Sequence, residues 1–389
     1  MAQAHKGGKL NHKINMYVFG DYFSGKTTLG LQLAKLHDEN GEPMRLLVID
    51  AESGGTSFAL DELEESGVEM DNVYTLWTQS LAEVNHYIDL IKRGEPLHEL
   101  GPDGEELEEY VTDAAGRPFV PTALFLDGAT VLKMTCQQSL LNLSRKRARV
   151  RAKNNGLIGE DKAVAIEGAG LEFKDYNTLN FSGQELILDL MATNIHWIVS
   201  AREKKETKSV KVNGSIQSIE TGKLVSDAFK GAEFNTATLV RLFRDDDDPD
   251  IVKMQVLKDR SKTWAVGQIV ENPSLLDMQP LLDKHNGKSV VLKNTMNEAV
   301  EAEMRIYQEK AGITDSGNDN STSSEEEGFT PDELKKQISA LRSKMGTEQR
   351  KQLSDRIKAE NIPTSLGKIE DTNILSRVVA IAKEIVEAE

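Results

Sequence analysis

The chain of 389 residues holds one cysteine, Cys136, so it has no internal disulfide available, which suits a reducing compartment. Aromatic residues make up only 5%, leaving few side chains for a surface built on base stacking. No apolar run approaches the roughly 20 residues needed to span a bilayer. The opening "MAQAHKGGKLNHK" lacks the apolar segment of a signal peptide. Positive charge is in deficit, with 47 Lys and Arg against 63 Asp and Glu and a net charge of −16. Any affinity for nucleic acid must therefore come from a local basic surface, not from the whole-molecule field. The expectation is a soluble, cytoplasmic chain with no membrane partner, long enough for one large domain and a smaller one.

What is present is a rhythm of short apolar runs and amphipathic stretches, the pattern of a parallel sheet with crossover helices. "INMYVFG" (Ile14 to Gly20) reads as a buried strand, and a helix opening at Gly25 runs through Leu29, Leu33 and Leu36 until Gly41 stops it. "RLLVIDAE" and "NVYTLW" predict two more strands, and Ser80 caps a helix carrying Leu81, Val84, Ile88 and Ile91. Residues 94–121 read as an acidic surface insertion, followed by the buried strand "TALFLDGA". A long helical region with a basic run comes next, then a helix near Gly183 to Ala192 and the strand "HWIVSARE". After a polar loop, "TATLVRLF" and "IVKMQVLKDR" look like antiparallel edge strands joined by the acidic turn "RDDDDPD". There is no internal repeat.

The core is expected over 1–311. Residues 312–328, with "TDSGNDNSTSSEEEG", form a polar linker too poor in apolar surface to order itself. A small helical tail over 329–389 starts at "TPDEL", where Thr330 is the N-cap, Pro331 the first position and Glu333 the closing residue of a capping box. Leu334, Ile338 and Leu341 mark its first apolar face, with Leu353 and Ile357, then Ile374, Val378, Ile381 and Ile385, on two further helices. The tail is either a partner-docking module or a stabilising cap.

"GDYFSGKT" (Gly20, Asp21, Tyr22, Phe23, Ser24, Gly25, Lys26, Thr27) fits G-x-x-x-x-G-K-[ST], between a buried strand and a helix; Thr28 follows. Glycines let backbone N–H groups wrap phosphates, and the helix start adds positive potential. In this pattern Lys26 reaches the β- and γ-phosphates of ATP, and Thr27 ligates Mg²⁺. "ALFLDGAT" supplies Asp127 at a strand tip as the second metal-site acid, with Gly128, not glutamate, after it. The water-activating base must come from elsewhere. "LLVIDAES" offers Asp50, equally readable as a solvated strand end, and Glu52, placed to polarise a water.

This arrangement resembles the RecA-type core ATPases, whose strand after the P-loop helix ends in the catalytic glutamate and whose Walker B aspartate lacks a following glutamate. Within that group it is similar to phage nucleotide-binding ATPases related to Sak-type single-strand annealing and recombination proteins. The stretch "FKDYNTLNFSGQELILDLMATNIHWIVSAREKK" carries the likeness, which spans roughly residues 14 to 270. It implies an α/β, RecA-like P-loop core with a mainly parallel central sheet, beside the small all-helical C-terminal domain. It also implies a Mg-ATP-dependent ATPase acting on single-stranded DNA in phage recombination or replication, in the host bacterial cytoplasm. Glu52, Lys26, Thr27 and Asp127 take the roles argued above.

The resemblance adds Lys258 and Arg260 of "VLKDRSK", spaced as a K-x-R pair that reaches a neighbouring subunit's γ-phosphate in rings or filaments. An exposed basic strand end is the other reading. Where the family usually has a Gln or His sensor, this chain has Ser200 and Arg202. Two segments are candidates for DNA: "RKRARVRAK", with Arg145, Lys146 and Arg147, and "REKKETKSVKVNG", with Lys204, Lys205, Lys208 and Lys211. Phe229 and Phe234 are the nearest stacking choices, and a solvated helix face or subunit interface is the alternative. Rival functions are a helicase-like translocase or helicase loader, and a nucleotide-gated interaction protein with little turnover. A packaging terminase fits less well, since the Asp-Glu pair is absent.

Overall fold

The computed structural model describes residues 12–102, 106–212, 215–284 and 296–310; between 335 and 387 it describes 335, 338, 341, 342, 345, 347–359 and 372–387. The chain divides into one unit over Met1–Met304 and another over Arg305–Glu389.

The first unit opens with β1 (Asn15–Gly20), α1 (Lys26–Leu31), β2 (Leu46–Asp50), α2 (Thr56–Glu65), β3 (Val73–Trp77) and α3 (Leu81–Arg93). A small hairpin, β4 (His98–Leu100) and β5 (Glu106–Tyr110), precedes β6 (Ala123–Asp127). Helices α4 (Ala129–Asn154), α5 (Gly159–Glu167) and α6 (Phe173–Ala192) lead to β7 (His196–Val212) and β8 (Ser215–Ser226). Then come β9 (Thr238–Arg244), β10 (Val252–Asp259), β11 (Ile269–Glu271) and α7 (Gln279–Asp283), and α8 (Met296–Lys310) spans the division between the units. The second stretch contains α9 (Thr347–Ala359) and α10 (Thr372–Glu387).

The fold is α/β. Eight strands run in the order β11-β10-β9-β1-β7-β6-β2-β3, with β8 paired to β7 off that path. The pairs among β9, β1, β7, β6, β2 and β3 are parallel, and β10 and β11 are antiparallel. Parallel strands buried on both faces need continuous apolar sequence, which β1, β2 and β6 have. Alternate residues feed two cores. Tyr17, Leu47, Leu124 and Trp197 pack with Ile88, Leu132 and Leu186 of α3, α4 and α6 on one face. Met16, Val48, Phe125 and Ile198 pack with Leu29, Leu31, Leu63 and Leu282 on the other.

Ser80 caps α3 as expected, its hydroxyl accepting from the Glu83 amide, and Gly94 closes the helix in the left-handed conformation. Other expectations change. The P-loop helix ends at Leu31, passes into a 3₁₀ turn over Gln32–Lys35, and is extended by Leu36, so its apolar period overstates its length. Residues 94–121 do carry an exposed hairpin. Its base is nonetheless anchored by buried Leu97 and Phe119, and by Asp113, which accepts from Arg45 and Arg117. β9 is an interior strand, and β11 covers β10, so the two predicted edge strands lie within the sheet. The segment read as a polar loop after "HWIVSARE" is an antiparallel ribbon of β7 and β8, solvent-exposed from Thr207 to Lys211 and Gln217 to Lys223.

Among the described residues, no helix is long and apolar enough to cross a membrane. In the second unit Ile338, Met345, Leu353, Ile357, Val378, Ile381 and Ile385 share one apolar cluster. The "TPDEL" start and the 312–328 linker lie outside the described residues.

Candidate nucleotide site

Gly20 to Thr28, Asp50, Glu52, Asp127, Ser200 and Arg202 gather where the parallel strands end. β1 stops at Gly20, and a Cβ there would lie 2.1 Å from the Leu242 carbonyl oxygen of β9, so only glycine fits. The loop returns through Gly25 at φ 83° into α1. Phe23 is also left-handed, at φ 52°, and its carbonyl accepts from Arg244 Nε at 2.7 Å. Arg244 also donates to the Pro249 carbonyl at 2.5 Å, which ties the acidic turn to the loop. Tyr22 and Phe23 are exposed side chains, so Asp21, Tyr22, Phe23 and Ser24 offer a bound phosphate mainly their backbone. Thr28 lies on α1 and is exposed.

The Lys26 ammonium folds over this loop, donating to the Asp21 carbonyl at 2.5 Å, to the Gly20 carbonyl at 3.2 Å and to Ser24 Oγ at 3.3 Å. Burial pulls its pKa below the ordinary lysine value, and Glu52, Asp127, Asp21 and Glu203 oppose that.

Asp127 is buried at the tip of β6. Its Oδ2 accepts from Thr27 Oγ1 at 2.7 Å, and its Oδ1 from Ser200 Oγ. Burial pushes its pKa up, the two hydroxyls pull it down, and Glu52 and Asp50 push it up again. A buried carboxylate beside the hydroxyl of Thr27 is a donor set that fits Mg²⁺. Ser200, 1% exposed on β7, is spent inside the protein, accepting also from the Gly128 amide at 2.9 Å. Its hydrogen bond orients Asp127.

Asp50 is a structural residue. It is buried, and it accepts from the amides of Glu52 and Ser53 at 2.9 Å and from Thr56 Oγ1 at 2.5 Å. That pins the turn from which Glu52 projects. Glu52 Oε1 accepts from Arg202 Nε at 2.9 Å, and the Arg202 amide donates to Thr130 Oγ1 at 2.9 Å. Gly128, at φ 100°, lies beneath: a Cβ on it would stand 2.5 Å from Glu52 Cγ. The missing glutamate after Asp127 is thereby explained, because Glu52 from the adjacent strand occupies that space.

The other sequence-predicted residues lie elsewhere. β10 runs antiparallel to β9, with Val252 opposite Arg244 at the phosphate end and Asp259 opposite Thr238 at the far end. Gly20 pairs with Leu242, whereas Lys258 pairs with Leu239 and the Arg260 amide donates to Ala237, so the two lie about 10 and 16 Å back along the strand from the Gly20–Thr27 loop, at roughly 3.3 Å per residue, and two strands to the side of β1. Lys258 Nζ donates to the carbonyls of Phe234 at 2.9 Å and Thr236 at 2.5 Å, while Arg260 is exposed.

On α4, Arg145 pairs with Glu167 at 3.4 Å, Arg147 with Asp175 at 2.6 Å and Arg151 with Glu172 at 2.5 Å. That side of the basic run holds α4 to α5 and α6; Lys146 is exposed. On the ribbon, Lys204 pairs with Asp227, Lys205 with Glu220 and Lys208 with Glu206, and Lys211 is exposed farther out. Phe229 is buried against Gly183 and is removed from any stacking role, whereas Phe234 is exposed.

Two site residues escaped the sequence reading. Arg241 of β9 donates to Glu203 at 2.6 and 3.2 Å and lies over the Phe243 ring at 4.7 Å, bracing the strand beside the loop. A lone arginine inside the apolar strand "TLVRLF" was its signal. Thr130 carried none. No protein-family model matches the chain, and no curated protein matches it.

Proposed function

We propose that the chain is a Mg-ATP-dependent ATPase with a RecA-like core that acts on single-stranded DNA, of the annealing or strand-exchange type. The observation that carries this reading is the contact of Thr27, in the G-x-x-x-x-G-K-T turn, with Asp127 at the tip of β6, whose next residue Gly128 is covered by Glu52 from β2. The loop amides and Lys26 would bind the β- and γ-phosphates, and Thr27 with Asp127 would hold Mg²⁺, which would supply charge neutralisation. Glu52 orients and deprotonates the attacking water. Lys258 and Arg260 stand too far from their own loop to serve it, so they act on a neighbouring copy in a homo-oligomer. The single strand lies along the ribbon, whose lysines and small hydroxyl residues suit backbone phosphates.

Steady-state ATP turnover, with and without single-stranded DNA, tests the reading on wild type, Glu52→Gln and Lys258→Ala. DNA is expected to stimulate wild type, and Glu52→Gln to lose about 10²–10⁴-fold. Mixed oligomers of the two variants should recover part of the activity, because some interfaces regain both groups. Turnover indifferent to DNA overturns the DNA assignment. Tight ATP binding without turnover favours the nucleotide-gated interaction protein instead.

A further inference from the structure

We propose that Arg202 is a positioning residue for Glu52, drawing its carboxylate across the sheet to the phosphate loop; this rests on the ATPase reading above. The strand order β1-β7-β6-β2 places the exit of β2 three strands from β1. At about 4.8 Å per strand, the Glu52 backbone starts roughly 14 Å from the strand that feeds the loop. Arg202 stands on the strand next to β1, in register with Gly20. Its Nε holds Glu52 Oε1 at 2.9 Å, so the carboxylate is pulled over β6 toward β1. Gly128, at the tip of β6, leaves that path open: Glu52 Cγ lies 2.5 Å from where a Cβ would be.

The residues after Glu52 do not hold its side chain in place. Ser53 is left-handed at φ 56°, and a Cβ on Gly54 or Gly55 would meet nothing within 4 Å. Arg202, by contrast, is fixed through its backbone. Its amide donates to Thr130 Oγ1 at 2.9 Å, and its carbonyl accepts from the Asp227 amide at 2.7 Å. The pair is half-exposed, with 52% of the Arg202 side chain and 31% of Glu52 accessible, so it adds little to stability. Its effect is geometric.

The test combines Arg202→Ala, Arg202→Lys, Glu52→Gln and the double variant Glu52→Gln/Arg202→Ala, measured for turnover, ATP and ADP affinity, and melting temperature. Arg202→Ala should lower kcat about a hundredfold, the cost of a catalytic group displaced by an ångström. Its melting temperature and its ATP affinity should stay close to wild type, and Arg202→Lys should restore part of the rate. In the Glu52→Gln background, Arg202→Ala should cost nothing further, because the two act as a unit. A selective loss of ATP over ADP affinity overturns the proposal and makes Arg202 a phosphate contact. An unchanged or raised kcat, or additive losses, overturns it as well. Wild type without turnover removes the ATPase reading and this proposal together; an active wild type with an indifferent Arg202→Ala removes only the proposal.

Discussion

Replacing Gly128 by alanine perturbs one methyl group at the point where three strands meet. The position is held at φ 100°, which L side chains rarely adopt, at a cost of about 1–3 kcal/mol. The new Cβ would lie 2.5 Å from Glu52 Cγ, 3.3 Å from the Glu52 amide nitrogen and 3.5 Å from Ala51 Cβ. The backbone contact is tight but tolerable, whereas the Cγ overlap is not, so the Glu52 side chain must swing away. Chemical denaturation should show a loss of about 1–3 kcal/mol, nearly all of it backbone strain. Turnover should fall about a hundredfold, with ATP affinity kept, because the phosphate loop itself is untouched. Gly128→Glu should be no more active, since its carboxylate competes with Glu52 for one space. A Gly128→Ala protein as stable and as fast as wild type would refute the placement of Glu52 over Gly128.

Asp50→Ala strands three buried or half-buried donors, the amides of Glu52 and Ser53 and the Thr56 hydroxyl. It should cost about 1–3 kcal/mol in denaturation and lower turnover by loosening the Glu52 turn. At the opposite end of the sheet, buried His196 accepts the Ile14 amide on Nδ1 at 3.2 Å, which requires the neutral ring. Burial holds its pKa below the ordinary 6.5, against the pull of Glu39. The unfolded chain therefore takes up this proton first, and stability should fall as pH drops below about 6.5, by at most about 1.4 kcal/mol per pH unit. His196→Gln should flatten that limb of a pH–stability curve; an unaltered slope counts against the neutral assignment. Glu39, held below its usual range by hydrogen bonds from His196 and then Lys13, gives its full stabilisation above about pH 4.5 and loses it as the pH falls below that. For the ribbon, Lys208→Ala/Lys211→Ala should reduce the salt slope of single-stranded DNA binding by about 1.4, at roughly 0.7 per phosphate contact. A slope equal to that of wild type moves the DNA surface elsewhere.

The glycine turn between β1 and α1, the apolar strands β1, β2 and β6 and the Ser80 cap were legible because each is written in consecutive residues. Spacing, apolar continuity and a capping hydroxyl act over a few positions. Asp127 and Glu52 were legible as acids at strand tips for the same reason. The strand order was not, since lateral pairing joins residues far apart in sequence, such as Gly20 with Arg202 and Asp50 with Asp127. That order alone sets Ser200 beside Asp127 and brings Arg202 to Glu52. It also splits the basic run of α4 between an inner side bonded to α5 and α6 and an outer side in water, which charge counting could not do. The ribbon was misread as a loop because its strands are polar on both faces, with no buried side to impress an apolar period. Gly128 shows the division most plainly. The sequence by itself determined that no glutamate follows Asp127, and only the tertiary structure decided why, by filling that space with a carboxylate from another strand.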